Sequence, residues 1–443
     1  MKRRTFVKLS STVVGSAVLS PLMAKEDSIK NWAGNITYST SQIDYAKSIE
    51  DVQQFVKNTN QFKVLGTRHC FNRIADSKDR FLSLKNMDNV VSLDTAKKTV
   101  TVESGITYGK LSPYLHEKGF ALHNLASLPH ISVAGGIATA THGSGVKNGN
   151  LSTAVSGLEF VAADGSLHTI SKEKNKEEFN ALVVGLGAIG VITKVTLDIQ
   201  PTFMMRQYVY EQLPMAQWRD HFSEIMSAGY SVSLFTDWQS ESINEVWIKR
   251  LDNDKTVDGK NFFDAKASTK NMHPIATLSA ENCTEQMGVS GPWYERLPHF
   301  KMGFTPSSGE ELQAEYFVPM KHAVETIQTI ARMGKQIGPH LFISEIRTIA
   351  ADDLWMSPCY QQDCIAIHFT WKPEWDAVSK LLPVIEKELA PFQARPHWGK
   401  LFTMNSVQLH SHYKKLIDFK KLVERYDPKG KFRNEFLKAN LYS

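Results

Sequence analysis

The sequence predicts an α+β chain of two domains, and three observations carry that prediction. Its 443 residues exceed what one hydrophobic core ordinarily serves. From residue 45 to residue 200, short strand patterns and turns recur with few long helical stretches. After Pro201 the pattern changes to longer amphipathic stretches separated by strands rich in aromatic residues. The expected division is a first domain over 30–200, a second over 201–400 and a C-terminal segment over 401–443, preceded by a separate segment 1–24. A content of 42% hydrophobic and 22% charged residues excludes a disordered or collagen-like chain.

Residues 1–24 open with a basic stretch holding the adjacent Arg3 and Arg4, then Phe6 and Lys8, and continue into a short, mildly apolar run ending at Ala24. This reads as an export signal of the twin-arginine type, too short to span a bilayer; a Sec signal or a plain basic tail is the alternative. The expectation is a periplasmic or secreted protein, exported folded by the twin-arginine machinery and without stable membrane insertion. That route often serves proteins loaded with a cofactor before export. Removing Lys2, Arg3, Arg4 and Lys8, and no acids, takes the formal charge from +5 to +1, which leaves no global attraction for nucleic acid. Cys70, Cys283, Cys359 and Cys364 are too few for a disulfide scaffold. Cys359 and Cys364 flank a short polar turn, where they could pair or stay free. No Cys or His spacing completes a zinc site, so no metal is expected.

Strand candidates in the first half are Gln61–Leu65, Asn89–Asp94, Lys98–Glu103, a run beginning at Gly157, and Ser166–Ser171. Asp164-Gly165 between the last two signals a hairpin, and a helix is expected through Leu111 and Leu115. Two glycine-rich turns interrupt these strands, Gly66-Thr-Arg-His-Cys-Phe-Asn72 and Ser132 to Gly145. Glycine lets backbone amides approach an anion, and Ser and Thr hydroxyls add donors, so a pyrophosphate is the expected client. A third run, Gly185-Leu-Gly-Ala-Ile-Gly190, has the spacing of a dinucleotide fingerprint but opens onto the β pattern of Val191–Ile199. The fingerprint requires a following helix, so that reading fails.

In the second half, Ala280–Pro306 reads as irregular loop. Polar residues then stand on strand-like frames: Gln313 and Glu315, Glu345 and Arg347, His368 and Thr370, each pair two apart and hence on one strand face. Lys400 follows a turn after Ala394. Polar groups among Ile, Phe and Trp are costly unless they serve one another or a ligand, and a polyhydroxylated substrate is one such ligand.

Together these segments resemble the vanillyl-alcohol-oxidase-type FAD-linked oxidases, and within them the aldonolactone and alditol oxidases, along nearly the whole chain after the signal. The resemblance implies a first domain of the PCMH type that binds FAD and a substrate domain built on a mainly antiparallel sheet flanked by helices. It implies FAD contacts from Gly66, Thr67, Arg68, His69, Cys70, Phe71 and Asn72, from Ser127, Ser132, Gly135 and Gly136, from Thr139, Ala140, Thr141, His142 and Gly143, and from Ile192. His69 would hold the flavin covalently, while Cys70 reads as a packing residue. Ser344-Glu-Ile-Arg-Thr348, His368-Phe-Thr-Trp371 and Pro396-His-Trp-Gly-Lys400 are similar to that family's substrate strands. They imply substrate contacts from Ser127, Gln313, Glu345, Arg347, His368, Thr370 and Lys400, with Glu345, Arg347, His368 and Lys400 catalytic. Tyr426–Asn434 resembles the segment that returns to the flavin domain. The implied reaction is oxidation of an alditol's terminal alcohol to the aldehyde with oxygen reduced to peroxide; a sugar-1,4-lactone oxidase or dehydrogenase is the alternative.

Overall fold

Two antiparallel sheets organise the chain in a computed structural model that describes residues 28–256, 259–304 and 310–442. The export-signal segment 1–24 lies outside the described residues. The first sheet has five strands, β1 (Val90–Asp94), β2 (Thr99–Glu103), β3 (Val155–Val161), β4 (Leu167–Ser171) and β5 (Val191–Asp198), in the spatial order β1-β2-β5-β3-β4. Strand β5 alternates strictly, with Val191, Thr193, Val195 and Leu197 buried and the residues between them partly exposed or exposed, as a sheet with one covered face requires. The β3–β4 hairpin turns through Asp164-Gly165, where Gly165 has φ +85° and Asp164 Oδ1 accepts from the Ser166 amide at 2.8 Å. A smaller parallel sheet joins Ile43–Tyr45 and Lys63–Val64 on either side of Phe81–Ser83. Thr107 caps the helix Tyr108–Glu117, whose Leu111 and Leu115 face the core.

The Ser132–Gly145 stretch is not all turn, because Val133–Ala138 forms a short helix. Its apolar Val133 and Ile137 are buried, and Gly136 sits so close to Tyr108 that an added Cβ would lie 3.2 Å from the ring. The Gly185–Gly190 run leads directly into β5, with no helix after it.

The second sheet has ten strands. Its six long members are β6 (Met204–Pro214), β7 (Ser231–Thr236), β8 (Ser242–Leu251), β9 (Leu312–Pro319), β10 (Leu341–Ile349) and β11 (Cys364–Trp371), in the order β6-β8-β7-β10-β11-β9. Every residue of β11 is buried. One face, through Tyr316, Ile346, Ile367 and Phe369, joins the main core with Ile327 and Ile330 of helix Ala323–Arg332 and with Val378, Leu382 and Ile385 of helix Trp375–Leu389. The other face carries the polar residues.

The C-terminal residues cross back to the first sheet's side of the molecule. Phe432 packs on Phe62 at 5.2 Å, and Asn434 Nδ2 donates to the carbonyls of Arg73, Ile74 and Asp76 at 2.9–3.1 Å. Cys359 and Cys364 are both buried free thiols. Among the described residues no helix is long and apolar enough to cross a membrane, and no group of metal-ligating side chains forms.

Candidate active site

Strand register gathers the polar pairs into rows. Glu345 of β10 is opposite His368 of β11, which is opposite Glu315 of β9; the next row is Ile343, Thr370 and Gln313. Because alternate residues share a face, Arg347, two beyond Glu345, joins the same wall. Lys400 arrives from the edge: Arg395–Pro396 pairs with β9, and the turn closes where the Lys400 amide donates to the His397 carbonyl at 3.0 Å.

Charge alternates across this wall. Glu315 Oε2 lies 2.9 Å from Lys400 Nζ, and its Oε1 lies 3.0 Å from Arg347 Nη2 and 3.2 Å from His142 Nε2. Glu345 Oε1 lies 2.7 Å from His299 Nε2 and 3.5 Å from Arg347 Nε. Burial alone would raise both carboxyls. Lys400, His142 and Arg347 outweigh it at Glu315, and Arg347, His299 and His368 do so at Glu345, so both are held well below the usual carboxylate range. Burial lowers Lys400 and, with Lys400 beside it, drives His368 well below its ordinary value. His368 is therefore neutral, and its buried Nε2 has no hydrogen-bond partner among the described residues while its side chain lines the cavity.

The opposite wall of this cavity, about 430 Å³ in volume, is formed by Gly66–Cys70, Ser127, Gly135, Gly136, Thr139, Thr141 and His142. A second chamber of about 170 Å³ continues from it through Gly66, Thr67, Gly135 and Gly187, and is lined by Ser132 and Ile192. The Gly185–Gly190 run lines that chamber too, although it is no Rossmann fingerprint. A Cβ at Gly66 or Gly135 would lie 3.0 or 2.8 Å from Ser132 Oγ, so the passage between chambers depends on bare backbone. The narrow apolar chamber with Leu158, Phe160 and Ile189 suits an adenosine, and the broad one beside His69 suits a flavin ring. The residues present thus fit FAD.

His69 stands against Trp32 with ring centroids 4.5 Å apart, and its Nδ1 is 3.2 Å from His130 Nε2. Burial, with His130 and Lys400 nearby, pushes it down to about 3, so the imidazole is neutral and nucleophilic. Burial pushes the Cys70 thiol up to about 12, which leaves it protonated and fit for packing.

Four residues expected at the cofactor lie elsewhere. Phe71 is buried behind the loop, and Asn72 Nδ2 donates to the carbonyls of Trp398 at 2.8 Å and Lys400 at 2.7 Å. Both face a separate cavity of about 1330 Å³ that touches none of Glu345, Arg347, His368 or Lys400. Gly143 is pressed against Asn124 and Leu125, and Ala140 is buried at φ +55°; neither lines the cleft. The site also holds residues that sequence reasoning did not assign. Glu315 was legible as the neighbour of Gln313 on one face. His299 was not, since it lies in the aperiodic 280–306 loop.

An FAD-binding-domain family matches residues 40–171, the stretch that holds both glycine-rich turns, and a D-arabinono-1,4-lactone oxidase family matches residues 307–440. An alditol oxidase from a Streptomyces species is 42% identical over 413 residues, covering 93% of this chain and 98% of that protein. The chain belongs to the alditol and aldonolactone oxidase family of FAD-linked oxidases. An L-gulono-1,4-lactone dehydrogenase of Mycobacterium tuberculosis is 25% identical with the same coverage. The fold is shared with a cholesterol oxidase from B. sterolicum, at a TM-score of 0.75 and 15% identity over 94% of this chain and 96% of that one. At that distance the likeness concerns architecture alone.

Proposed function

We propose that this protein oxidises the terminal alcohol of an alditol to the aldehyde, with FAD attached through His69. The observation that carries the reading is the wall itself: two ionised carboxylates, two cations and the unpartnered Nε2 of a neutral histidine on one buried sheet face. Vicinal hydroxyls, each both donor and acceptor, answer such an alternation; a lactone ring offers fewer donors. The 42% identity to an alditol oxidase, against 25% to a lactone dehydrogenase, supports the same choice.

Arg347 and Lys400 hold cationic donors toward the reacting hydroxyl and stabilise negative charge that develops on its oxygen. Glu345, ionised, orients hydroxyls and accepts a proton, with His368 Nε2 as a second acceptor. Ser127, Gln313 and Thr370 supply neutral contacts to the rest of the chain. FAD, which the Gly66–Cys70 loop, Gly135, Gly136 and Thr139 would hold, would supply the hydride acceptor for the carbinol carbon and the route of the two electrons to oxygen, yielding hydrogen peroxide. We also propose export of the folded protein by the twin-arginine route to the periplasm or beyond, on the strength of Arg3 and Arg4; retention of the Arg3→Lys, Arg4→Lys protein in the cytoplasm is the expected result.

The test is a denaturing gel viewed for flavin fluorescence, then anaerobic mixing with xylitol and readmission of air. The expected result is a fluorescent band that His69→Ala abolishes, bleaching by xylitol, and recovery in air with peroxide. A fluorescent band that xylitol leaves yellow and a sugar lactone bleaches would transfer the activity to lactones.

A further inference from the structure

Glu345 is backed by two buried groups that the reaction scheme above leaves idle: His299, which lines the edge of the cavity, and Lys249, which lies behind it and does not reach the cavity. His299 Nε2 meets Glu345 Oε1 at 2.7 Å, and Lys249 Nζ lies 3.3 Å from His299 Nδ1. Lys249 stands on β8, its ammonium also donating to the carbonyls of Leu297 at 2.6 Å and Pro298 at 3.0 Å. An ammonium has three donors and no acceptor, and here each meets one acceptor. The third of these is the His299 ring nitrogen, so Nδ1 cannot carry a proton while Lys249 is charged. The single proton of a neutral imidazole is then on Nε2, aimed at Glu345.

The ring cannot turn out of this line. Phe235 and Trp247 close on it edge to face, at 5.4 and 5.3 Å between centroids, and the three groups are almost wholly shielded from solvent.

We propose that Lys249 and His299 are positioning residues for oxidation: Lys249 fixes His299 as its Nε2–H tautomer, and His299 holds Glu345 ionised, with Oε1 occupied and Oε2 free for substrate. This rests on the proposed alditol oxidation. Among the described residues none donates a hydrogen bond to Oε2, and the Glu345 side chain lines the cavity.

The electrostatic surroundings agree. Burial pushes His299 down to about 4 against the pull of Glu345, with Lys249 and Arg347 adding to the fall, so the ring stays neutral at working pH. Burial lowers Lys249 to about 7, with Glu345 and Cys283 opposing and Arg347 and Arg296 assisting. Cys283 itself is a protonated thiol, pushed up to about 12 by burial, and Arg296 is spent on the carbonyls of Val289, Ser290 and Glu295. At Glu345 the facing groups are Arg347, His299 and His368. Lys249 is the group whose deprotonation, near neutral pH, would release the tautomer.

The test reads the low-pH limb that Glu345 itself sets, taken from the 13C shift of its carboxyl and compared with kcat/KM for xylitol in the flavin-loaded protein. Loss of a hydrogen bond to a carboxylate raises its pKa by about one to two pH units, so His299→Leu should move the limb up by that amount. His299→Gln, whose side-chain amide offers N–H near the place of Nε2, should return it most of the way; Lys249→Met should move it in the same direction as Leu, and less. A limb that stays within about 0.3 pH units of wild type in both His299→Leu and Lys249→Met overturns the proposal, as does a Gln variant no better than Leu. A purely packing role would lower melting temperature in all three without moving the limb. The 15N spectrum of histidine-labelled wild type below pH 7, with His299 assigned through the Gln variant, should show the Nε2–H tautomer; an Nδ1–H tautomer overturns the proposal even if the Leu and Met variants fold poorly. Wild type that bleaches with no polyol would instead remove the alditol reading, while the tautomer result would stand by itself.

Discussion

Glu315 satisfies three partners with one carboxylate, and this makes it the most exacting residue of the wall. Its side chain is wholly buried, and Lys400, Arg347 and His142 all address it. Removing one member of a buried ion group leaves the others uncompensated, at about 3–5 kcal/mol. Glu315→Gln should therefore lower the unfolding free energy by roughly that amount, read by denaturant titration of the flavin-loaded protein. Lys400 has a different part. Its substitution by Met keeps the length of the side chain and removes the donor that the proposed reaction places near the reacting oxygen, so kcat should fall by about 10²–10³ while the flavin content persists. Lys400→Arg should recover little, because a planar fork does not place charge where a compact ammonium does. A protein that only binds polyols would keep its flavin and lose affinity alone.

At the scale of elements, what was legible followed periodicity. Glu345 and Arg347, like His368 and Thr370, share a face because strands alternate, and the apolar residues around them reveal that the face is buried. The cross-strand row from Glu315 through His368 to Glu345 was not legible, because register is set by pairing between strands and not by the pattern within any one of them. Loops are the least legible of all. The stretch 296–304 carries His299 to the wall without any pattern, and the 66–72 loop divides its duties. Its first five residues line the cofactor cleft, while Asn72 ties down the turn that delivers Lys400. Asn72→Ala should then leave two carbonyls unpaired at about 1–3 kcal/mol. The variant should keep its flavin, lose thermal stability and lose turnover through a misplaced Lys400, whereas a cofactor contact would show as reduced flavin content.

Across the whole molecule, the buried histidines and lysines and the two paired carboxylates of the wall share one sign in their response to pH. Burial, opposed by Glu315 and assisted by Lys400 and His142, brings His397 down to about 3, and burial brings His299 to about 4; both titrate near 6.5 in an unfolded chain. Between those values the unfolded state binds protons that the folded state refuses, so stability rises with pH, by up to about 1.4 kcal/mol per pH unit for each histidine. Glu315 and Glu345, depressed in the fold, act the same way below the ordinary carboxylate value: their contribution is full above it and is lost as pH falls. Burial also lowers Lys63, whose Nζ bridges the carbonyls of Gly187 and Phe432, and Lys249, each to about 7. Unfolded lysines stay protonated to about 10.4, so from pH 7 upward these two again favour the folded state as pH rises. These groups are little screened by salt, since all are buried. The Tm of the flavin-loaded protein should thus climb from pH 4 through pH 6.5 and continue upward, less steeply, to about pH 8, above which the buried Cys70 and Cys283 thiols, raised to about 12, oppose the rise. Lys63→Met should flatten the part above pH 7 while leaving the acid slope. A profile peaking near pH 5 would mean that these histidines and lysines keep water in the folded state, and that the wall is open to solvent where the burial of Glu315 and His299 says it is closed.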